Sequence, residues 1–283
     1  MPKFCFVSDL HGREEWFERL ISFISEKRPK ALLMGGDICP HPLKGGYENG
    51  FLQDYLIPRF SSLQREMHQE YPQVIIILGN DDPRSQERTL VEGEGKGLWR
   101  YLNASSAGIE YYTIMGYPFV PPTPFQLKDW ERYDVSRYVD PGCISPEEGM
   151  YSVDVAADEK RYRTIREDLT RLAETITPQY TIMLFHSPPY KTKLDRAELD
   201  GKMIDYVPLD VNVGSIAIRE FIEAVQPRIT LHGHVHESSR LTGSWKECLG
   251  RTRMFSAAYE GPELAVIEFD PDEPSKARRH LLS

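Results

Sequence analysis

The sequence predicts an α/β protein in which short buried strands alternate with amphipathic helices. Several apolar runs have the length of a strand, and each ends in a cluster of polar residues. Helical patterns separate these runs, as crossover connections separate parallel strands. The chain has 283 residues, of which 40% are hydrophobic, and this suits one large α/β domain or two small ones. We expect residues 1–283 to form a single domain.

The predicted elements follow one another in a regular order. The strand candidates, in chain order, are "FCFVSDLHG", "ALLMGGD", "VIIILGNDD", "YTIMLFHSPP" and "ITLHGHVHE". Amphipathic stretches predict helices over residues 14–26, 51–69, 159–176 and 215–225. The last two apolar runs, "RTRMFSAA" and "ELAVIEFD", lie closer together, as in a hairpin or at the edge of a mixed sheet.

Residues 117–148 depart from this alternation and predict an insertion over the sheet. The segment is rich in proline and aromatic residues and has no clear periodicity. Its aromatic side chains could stack on a base or an apolar leaving group of a substrate. The alternative, which we favour, is that they pin the loop onto the sheet, because large aromatic side chains usually become buried. Its basic residues Lys128, Arg132 and Arg137 could face phosphate or water.

Composition excludes several classes of partner. The net charge of −9 and the pI near 5.5 argue against general binding to nucleic acid or to an anionic membrane. The four cysteines are dispersed and form no CxxC pair, so we expect a reducing compartment. The run "FCFV" is too short for the core of a signal peptide, and "VIIIL" is too short to span a bilayer. We therefore expect a soluble cytoplasmic protein, with its oligomeric state left open.

The polar clusters at the strand ends predict a metal site. In an open α/β sheet, ligands bind outside the carboxyl ends of the strands, and these clusters lie there. The histidines, carboxylates and amide that they bring together suit Mn, Fe, Zn, Co or Ni. They are too numerous for one ion, so a pair of ions is the natural count. The residues are Asp9, His11, Asp37, Asn80, Asp81, Asp82, His186, His234 and His236.

In order along the chain, these motifs resemble the signature of the calcineurin-like metallophosphoesterases. The resemblance runs from Phe4 to about Glu237, and the stretches after His186 are also similar to a prokaryotic subgroup of Icc-related phosphoesterases. It implies a four-layer αββα sandwich with a dinuclear metal centre. By the same resemblance, Asp9, His11 and His236 bind one metal, and Asn80, His186 and His234 bind the other. Asp37 bridges the two.

Such a centre implies hydrolysis of a phosphate ester. Two divalent ions about 3.5–4 Å apart lower the pKa of a bridging water and clamp phosphate oxygens during in-line attack. With two ligand carboxylates and a bridging hydroxide, the centre keeps a charge of about +1, which attracts a phosphodiester monoanion. We predict a phosphodiesterase that acts on a small phosphate ester, for which a nucleotide-like diester is one candidate.

Asp81 departs from the family pattern, which has a histidine at this position that is thought to protonate the leaving group. Beside two cations an aspartate should stay ionised, so it would donate a proton poorly and repel a dianion. We therefore predict a preference for diesters or for leaving groups that need no protonation. Asn80, Asp81 and Asp82 are the predicted catalytic residues, with Asp82 orienting its neighbours through hydrogen bonds. Neither His41 nor His68 can be assigned as a replacement from sequence.

Simpler explanations remain for several of these residues. His232 precedes the two ligand histidines on alternate positions, and we predict a packed role for it at the end of the strand. Ser215 could hold an anion at a helix N-terminus, but we favour simple capping. Tyr190 or Lys191 could reach the substrate. The second candidate for the whole protein is a weakly active or non-catalytic metal-binding scaffold that keeps the phosphoesterase fold.

Overall fold

Two mixed β-sheets, each of six strands, form the centre of the protein in a computed structural model that describes residues 3–41 and 50–283. The strands within these residues are β1 (Phe4–Val7), β2 (Ala31–Gly35), β3 (Gln73–Ile77), β4 (Arg100–Tyr101), β5 (Ser105–Ile109), β6 (Tyr112–Tyr117), β7 (Thr181–Phe185), β8 (Met203–Ile204), β9 (Val207–Pro208), β10 (Ile229–His232), β11 (Lys246–Leu249), β12 (Thr252–Ser256), β13 (Leu264–Phe269) and β14 (Arg278–Leu282).

The α-helices of the described residues are α1 (Glu14–Lys27), α2 (Ile57–Met67), α3 (Glu87–Gly95), α4 (Ala157–Tyr162), α5 (Ile165–Ala173), α6 (Ile216–Val225) and α7 (Ser238–Thr242). A π-helical segment, Phe51–Leu56, leads into α2. None of the helices in the described ranges is long and apolar enough to cross a membrane.

Each sheet has a parallel centre with antiparallel strands at an edge. The first sheet has the order β14-β13-β1-β2-β3-β4, in which β1 to β4 are parallel. The second has the order β11-β12-β10-β7-β6-β5, in which β12, β10, β7 and β6 are parallel. The carboxyl ends of the parallel strands in a sheet lie at one edge, and this is where ligand-binding loops emerge.

The two sheets pack face to face because their strands are apolar on both sides. Along β1, Phe4 and Phe6 join the core between the sheets, whereas Cys5 and Val7 join the core that includes α1 and α2. On the second sheet, the Phe185 ring of β7 lies 6.0 Å from the Phe221 ring of α6. Helices therefore cover both outer faces, and the predicted αββα sandwich is confirmed.

Local capping explains two helix boundaries. The predicted helix over residues 159–176 is split in the structure, because Thr164 is extended and its side chain accepts a hydrogen bond from the Glu167 N–H at the start of α5. At the start of α6, Ser215 accepts from the Ile218 N–H, and the Asp134 carboxylate accepts from the N–H groups of Ile216 and Ala217. Ser215 is thus a cap, as predicted, and a carboxylate of the protein itself occupies this helix end.

The two C-terminal apolar runs form strands in different sheets. Residues 252–256 form β12 beside β10 in the second sheet, whereas residues 264–269 form β13 beside β1 in the first. The hairpin alternative is therefore wrong, and the mixed-sheet alternative is confirmed. Because both runs are apolar and nearly adjacent, the sequence pattern did not reveal that the chain changes sheets between them.

The predicted insertion is held by its own aromatic and charged residues. Tyr117, Phe119, Trp130 and Tyr133 are buried, which supports the pinning role, whereas Phe125 and Tyr138 are exposed. Its three basic residues pair with carboxylates of the protein. Lys128 Nζ lies 2.6 Å from Glu131 Oε2 in a fully buried pair, Arg132 pairs with Asp168 and Glu159, and Arg137 pairs with Glu147.

Candidate metal centre

The predicted donor residues meet at the junction of the two sheets. Asp9, Asp37 and Asn80 follow β1, β2 and β3 within three residues, at the carboxyl ends of the first sheet. His186 directly follows β7, and His234 lies two residues after β10, at the carboxyl ends of the second. Since the sheets face each other, loops from both reach a common volume.

One group of donors consists of Asp9, His11 and His236, whose ligand atoms lie within 4.8 Å of one another. His11 Nε2 is 3.3 Å from His236 Nε2, and His236 Nε2 is 3.4 Å from Asp9 Oδ1. Two imidazole nitrogens this close, with a carboxylate beside them, fit a shared cation. Among the described residues, Asp9 Oδ2 is buried with no hydrogen-bond partner. A buried carboxylate oxygen of this kind is a fitting metal ligand.

A second group surrounds His186. Its Nε2 lies 3.0 Å from Asn80 Oδ1 and 3.3 Å from Asp37 Oδ2. Its Nδ1 lies 2.8 Å from the Gly35 carbonyl oxygen, which can only accept, so Nδ1 donates and Nε2 faces the centre. The His234 ring lies 5.3 Å from the His186 ring. Asp37 belongs to both groups, because its Oδ2 is also 3.9 Å from His11 Nε2.

Charge pairing dominates the electrostatics of the centre. Burial opposes ionisation of Asp9, but the hydrogen bond and positive charge of His236 outweigh it and lower the Asp9 pKa to about 2. Burial likewise opposes ionisation of Asp37, yet His186 and His11 hold the Asp37 pKa well below its usual range. In turn, although burial disfavours the charged imidazole, Asp37 and Asp9 raise the His186 pKa to about 10. The centre therefore favours cations next to its carboxylates.

The backbone of the centre is strained at four of the donor residues. Asp9, His11, Asp37 and His234 have φ angles of 60°, 47°, 53° and 74°, in the left-handed region that residues other than glycine rarely adopt. Hydrogen bonds between the loops hold this geometry, including Asp9 N to the Gly36 oxygen at 3.0 Å and His234 N to Asp9 Oδ1 at 2.9 Å. Strain of this kind is typical of functional sites.

Two glycines permit the close approach of these loops. A Cβ atom at Gly79 would lie 2.3 Å from Asp37 Oδ1, and one at Gly233 would lie 2.0 Å from Ser8 Oγ. Gly233 is therefore needed because its backbone packs on Ser8 of the first sheet. The alternation of His232, His234 and His236 does not reflect one strand face, because β10 ends at His232.

Asp82 lies beneath the centre and acts on the backbone. It is fully buried, and its two oxygens accept hydrogen bonds from the N–H groups of Ile38, Cys39 and Gly79 at 3.1, 2.7 and 2.9 Å. Both oxygens are thus engaged in joining the loop after β2 to the loop after β3. This geometry favours a positioning role for Asp82 over direct participation in catalysis.

Asp81 lies at the mouth of the centre. Its N–H donates to Asp37 Oδ1 at 2.9 Å, and its Oδ2 lies 3.6 Å from His11 Nδ1 and 3.7 Å from His41 Nε2. Burial, together with the charges of Asp37 and Asp82, raises the Asp81 pKa to about 8, whereas bound cations would act in the opposite direction. His41, which the sequence left unassigned, therefore lies beside the centre, four positions after Asp37.

Other candidates lie outside the centre. His232 is fully buried, its Nδ1 is 2.9 Å from the Ser187 oxygen and its Nε2 is 2.7 Å from Thr230 Oγ1, so the predicted packed role is confirmed. Tyr190 donates to Asp210, and Arg219 donates to the carbonyl oxygens of Tyr190 and Lys191. His68 is exposed before β3, at the opposite end of the sheet from Asn80.

The fold and this cluster of aspartate, asparagine and histidine donors define a metallophosphoesterase. The sequence model of the calcineurin-like phosphoesterase family matches residues 2–238, and the chain belongs to this family of metal-dependent phosphoester hydrolases, which typically bind two metal ions.

Solved structures agree with this assignment at the level of the fold. The protein TT1561 of Thermus thermophilus is 14% identical, with a TM-score of 0.57 over 100% of this chain and 99% of that one. A dimetal phosphatase from Danio rerio is 12% identical, with a TM-score of 0.52 over 94% and 91% of the two chains. A putative 5'-nucleotidase from Staphylococcus aureus is 14% identical, with a TM-score of 0.51 over 99% of this chain and 53% of that one. No curated protein sequence matches the chain.

Proposed function

We propose that this protein is a metal-dependent phosphodiesterase that hydrolyses a small phosphate diester. The observation that carries the proposal is the pair of donor groups around His236 and His186, with Asp37 in contact with His11 of one and His186 of the other and with the Asp81 carboxylate beside His11. A site with two cations attracts a phosphate ester, and a fixed negative group beside it penalises a dianionic monoester more than a monoanionic diester.

The donors fit two divalent ions, because carboxylate, amide and imidazole ligands suit Mn, Fe, Zn, Co or Ni. Asp9, His11 and His236 would hold one ion, Asn80, His186 and His234 would hold the other, and Asp37 would contact both. When bound, such a pair supplies a hydroxide at neutral pH and neutralises phosphate oxygens.

The protein's own residues would then fix the geometry of the reaction. The Asp82 carboxylate holds the loops that carry Asp37 and Asn80, and the Gly35 carbonyl orients His186. Asp81 sets the charge preference for the substrate. We also propose that the chain forms a single domain. A cytoplasmic location is part of the same proposal, because the four cysteines are free.

The test compares hydrolysis of bis-p-nitrophenyl phosphate and p-nitrophenyl phosphate by protein stripped of metal and reloaded with Mn²⁺. We expect turnover of the diester that requires Mn²⁺ and is lost in Asp37→Ala, with slower turnover of the monoester. Binding of two equivalents of Mn²⁺ without turnover of either compound would instead favour the alternative, a metal-binding scaffold. Faster turnover of the monoester would contradict the diester preference.

A further inference from the structure

We propose that His41 donates the proton to the leaving group and that Asp81 is its positioning partner. This inference rests on the proposed function and deepens it, because it extends the substrate class to diesters of ordinary alcohols. The alcohol of such a diester leaves as a strongly basic alkoxide unless its oxygen is protonated.

The first observation is the position of the His41 imidazole. Its Nε2 lies 3.7 Å from Asp81 Oδ2, and the same oxygen lies 3.6 Å from His11 Nδ1. The His41 side chain is 34% exposed and the Asp81 side chain 15% exposed, whereas that of Asp37 is 4% exposed. His41 thus stands at the outer side of the centre, next to a site residue, where a substrate group that faces solvent would leave.

The second observation is that the chain leading to His41 is fixed in place. The N–H groups of Ile38 and Cys39 donate to the buried Asp82 carboxylate, and the Gly12 N–H donates to the Ile38 oxygen at 2.8 Å. A Cβ atom at Gly12 would lie 2.3 Å from Pro40 Cγ, so the proline directly before His41 packs on the Gly12 backbone. These contacts tie the segment to the loops after β1 and β3, and they position the His41 backbone relative to both donor groups.

The third observation is the chemical complementarity of the pair. The Asp81 carboxylate lies close enough to the His41 ring to pair with it and to restrict its orientation. Asp81 occupies the position where the family has its histidine, and the structure supplies an imidazole beside it from the loop after β2. The acid function is thereby divided between two loops, with the carboxylate on one and the proton donor on the other.

The step balances in atoms and charge. Hydroxide attacks phosphorus and forms the new P–O bond while the opposite P–O bond breaks. The electron pair of the broken bond stays on the leaving oxygen, which takes the proton of the His41 imidazolium. Neutral His41 then regains a proton from solvent.

The test uses the metal-loaded full chain and a series of aryl methyl phosphates that differ only in the basicity of the leaving phenol. We expect His41→Gln to lower kcat/KM by about 10² for the phenyl ester and by less than about tenfold for the p-nitrophenyl ester, since a good leaving group needs little protonation. His68→Gln is the matched control and should leave the whole series unchanged. Mn²⁺ titration calorimetry should give the same stoichiometry for wild type and His41→Gln.

A second variant keeps the test informative if glutamine perturbs the loop. Asp81→His, introduced into the His41→Gln background, should restore hydrolysis of the phenyl ester. An equal loss across all leaving groups, no loss at all, or the loss of a metal equivalent in His41→Gln would each overturn the assignment of His41. Metal-dependent turnover by the wild type would in those cases leave the proposed function standing. If the wild type hydrolyses no diester at all, the proposed function itself fails and this inference fails with it.

Discussion

The two sheets contribute different chemistry to the metal centre. Loops of the first sheet supply the oxygen donors Asp9, Asp37 and Asn80 and a single imidazole, His11. Loops of the second supply imidazoles alone, from His186, His234 and His236. The groups around His236 and His186 each combine oxygens from the first sheet with an imidazole from the second, whereas His11, Asp37 and Asp81 form a further group from the first sheet alone.

The loops are also held by different means. On the first sheet, the buried Asp82 carboxylate joins the loops after β2 and β3 through backbone N–H groups. On the second, the loop after β10 is held across the junction, since the His234 N–H donates to Asp9 and Gly233 packs on Ser8. The loops of the first sheet are thus joined to one another through Asp82, whereas the loop after β10 is held by contacts with the first sheet.

The largest effect is expected from Asp37→Ala, which removes the carboxylate common to both groups. We expect a loss of at least about 10³ in kcat for bis-p-nitrophenyl phosphate, because an activated nucleophile and charge neutralisation are lost together. The measurement is steady-state turnover with saturating Mn²⁺, with circular dichroism as the control for folding. Residual activity within tenfold of wild type would contradict the central place of Asp37.

Three variants test whether each metal is held by both sheets. Asn80→Ala on the first sheet and His234→Ala on the second should each weaken the same ion, whereas His236→Ala should weaken the other. We expect each variant to lose about one equivalent of tightly bound metal, since a lost ligand lowers affinity by at least the 10–100-fold typical of a lost supporting partner. Metal analysis after gel filtration gives the stoichiometry. Asn80 is assigned to one ion and Asp37 to both. Loss of both ions in Asn80→Ala but not in Asp37→Ala would contradict this assignment.

Asp81→His should sharpen the electrostatic role of the first sheet. Replacing the carboxylate with the family's histidine removes repulsion of a dianion and adds a proton donor. We expect the ratio of monoesterase to diesterase activity to rise about tenfold or more. The ratio is measured with p-nitrophenyl and bis-p-nitrophenyl phosphate on one preparation, with Asp81→Asn separating charge from proton donation. An unchanged ratio in Asp81→His would falsify the idea that Asp81 selects diesters.

The smallest effect concerns His232, the strand-end histidine of the second sheet. Burial lowers the His232 pKa to about 4, from 6.5 when it is unfolded. Below pH 6.5 the unfolded chain takes up a proton at His232 that the folded chain does not. The free energy of unfolding is therefore unaffected by His232 above pH 6.5 and falls as the pH is lowered towards 4. The loss approaches about 3 kcal/mol.

The check is urea unfolding of metal-free wild type and His232→Gln between pH 4 and 7. We expect a flatter dependence of the free energy of unfolding on pH for the variant, while the stoichiometry of Mn²⁺ binding stays the same. Parallel curves for the two proteins would show that His232 is not held neutral in the folded state. A lost equivalent of Mn²⁺ would show that His232 does more than pack.

Much of the fold and of the donor set could be predicted from sequence because both depend on local pattern. Continuous apolar runs such as those of β2 and β3 indicate strands that are buried on both faces of a sheet. The polar residues that follow parallel strands lie together at the carboxyl ends of those strands. Asp9, Asp37 and His186 could therefore be expected to meet before any contact was known. The pairing of residues 252–256 and 264–269 with different sheets could not, because nothing local distinguishes the two runs.

The sequence by itself determined the strands β1, β2, β3, β7, β10, β12 and β13, the donor types and the substitution at Asp81, whereas β5 and β6 were not predicted. Only the tertiary structure decided which carboxylates are engaged with the backbone, which arginines of the insertion are paired, and which histidine faces Asp81. Those outcomes depend on contacts between distant residues, such as Asp82 with Cys39 and Asp134 with Ile216. Side-chain direction and loop strain set such contacts, and neither is encoded in a local periodicity.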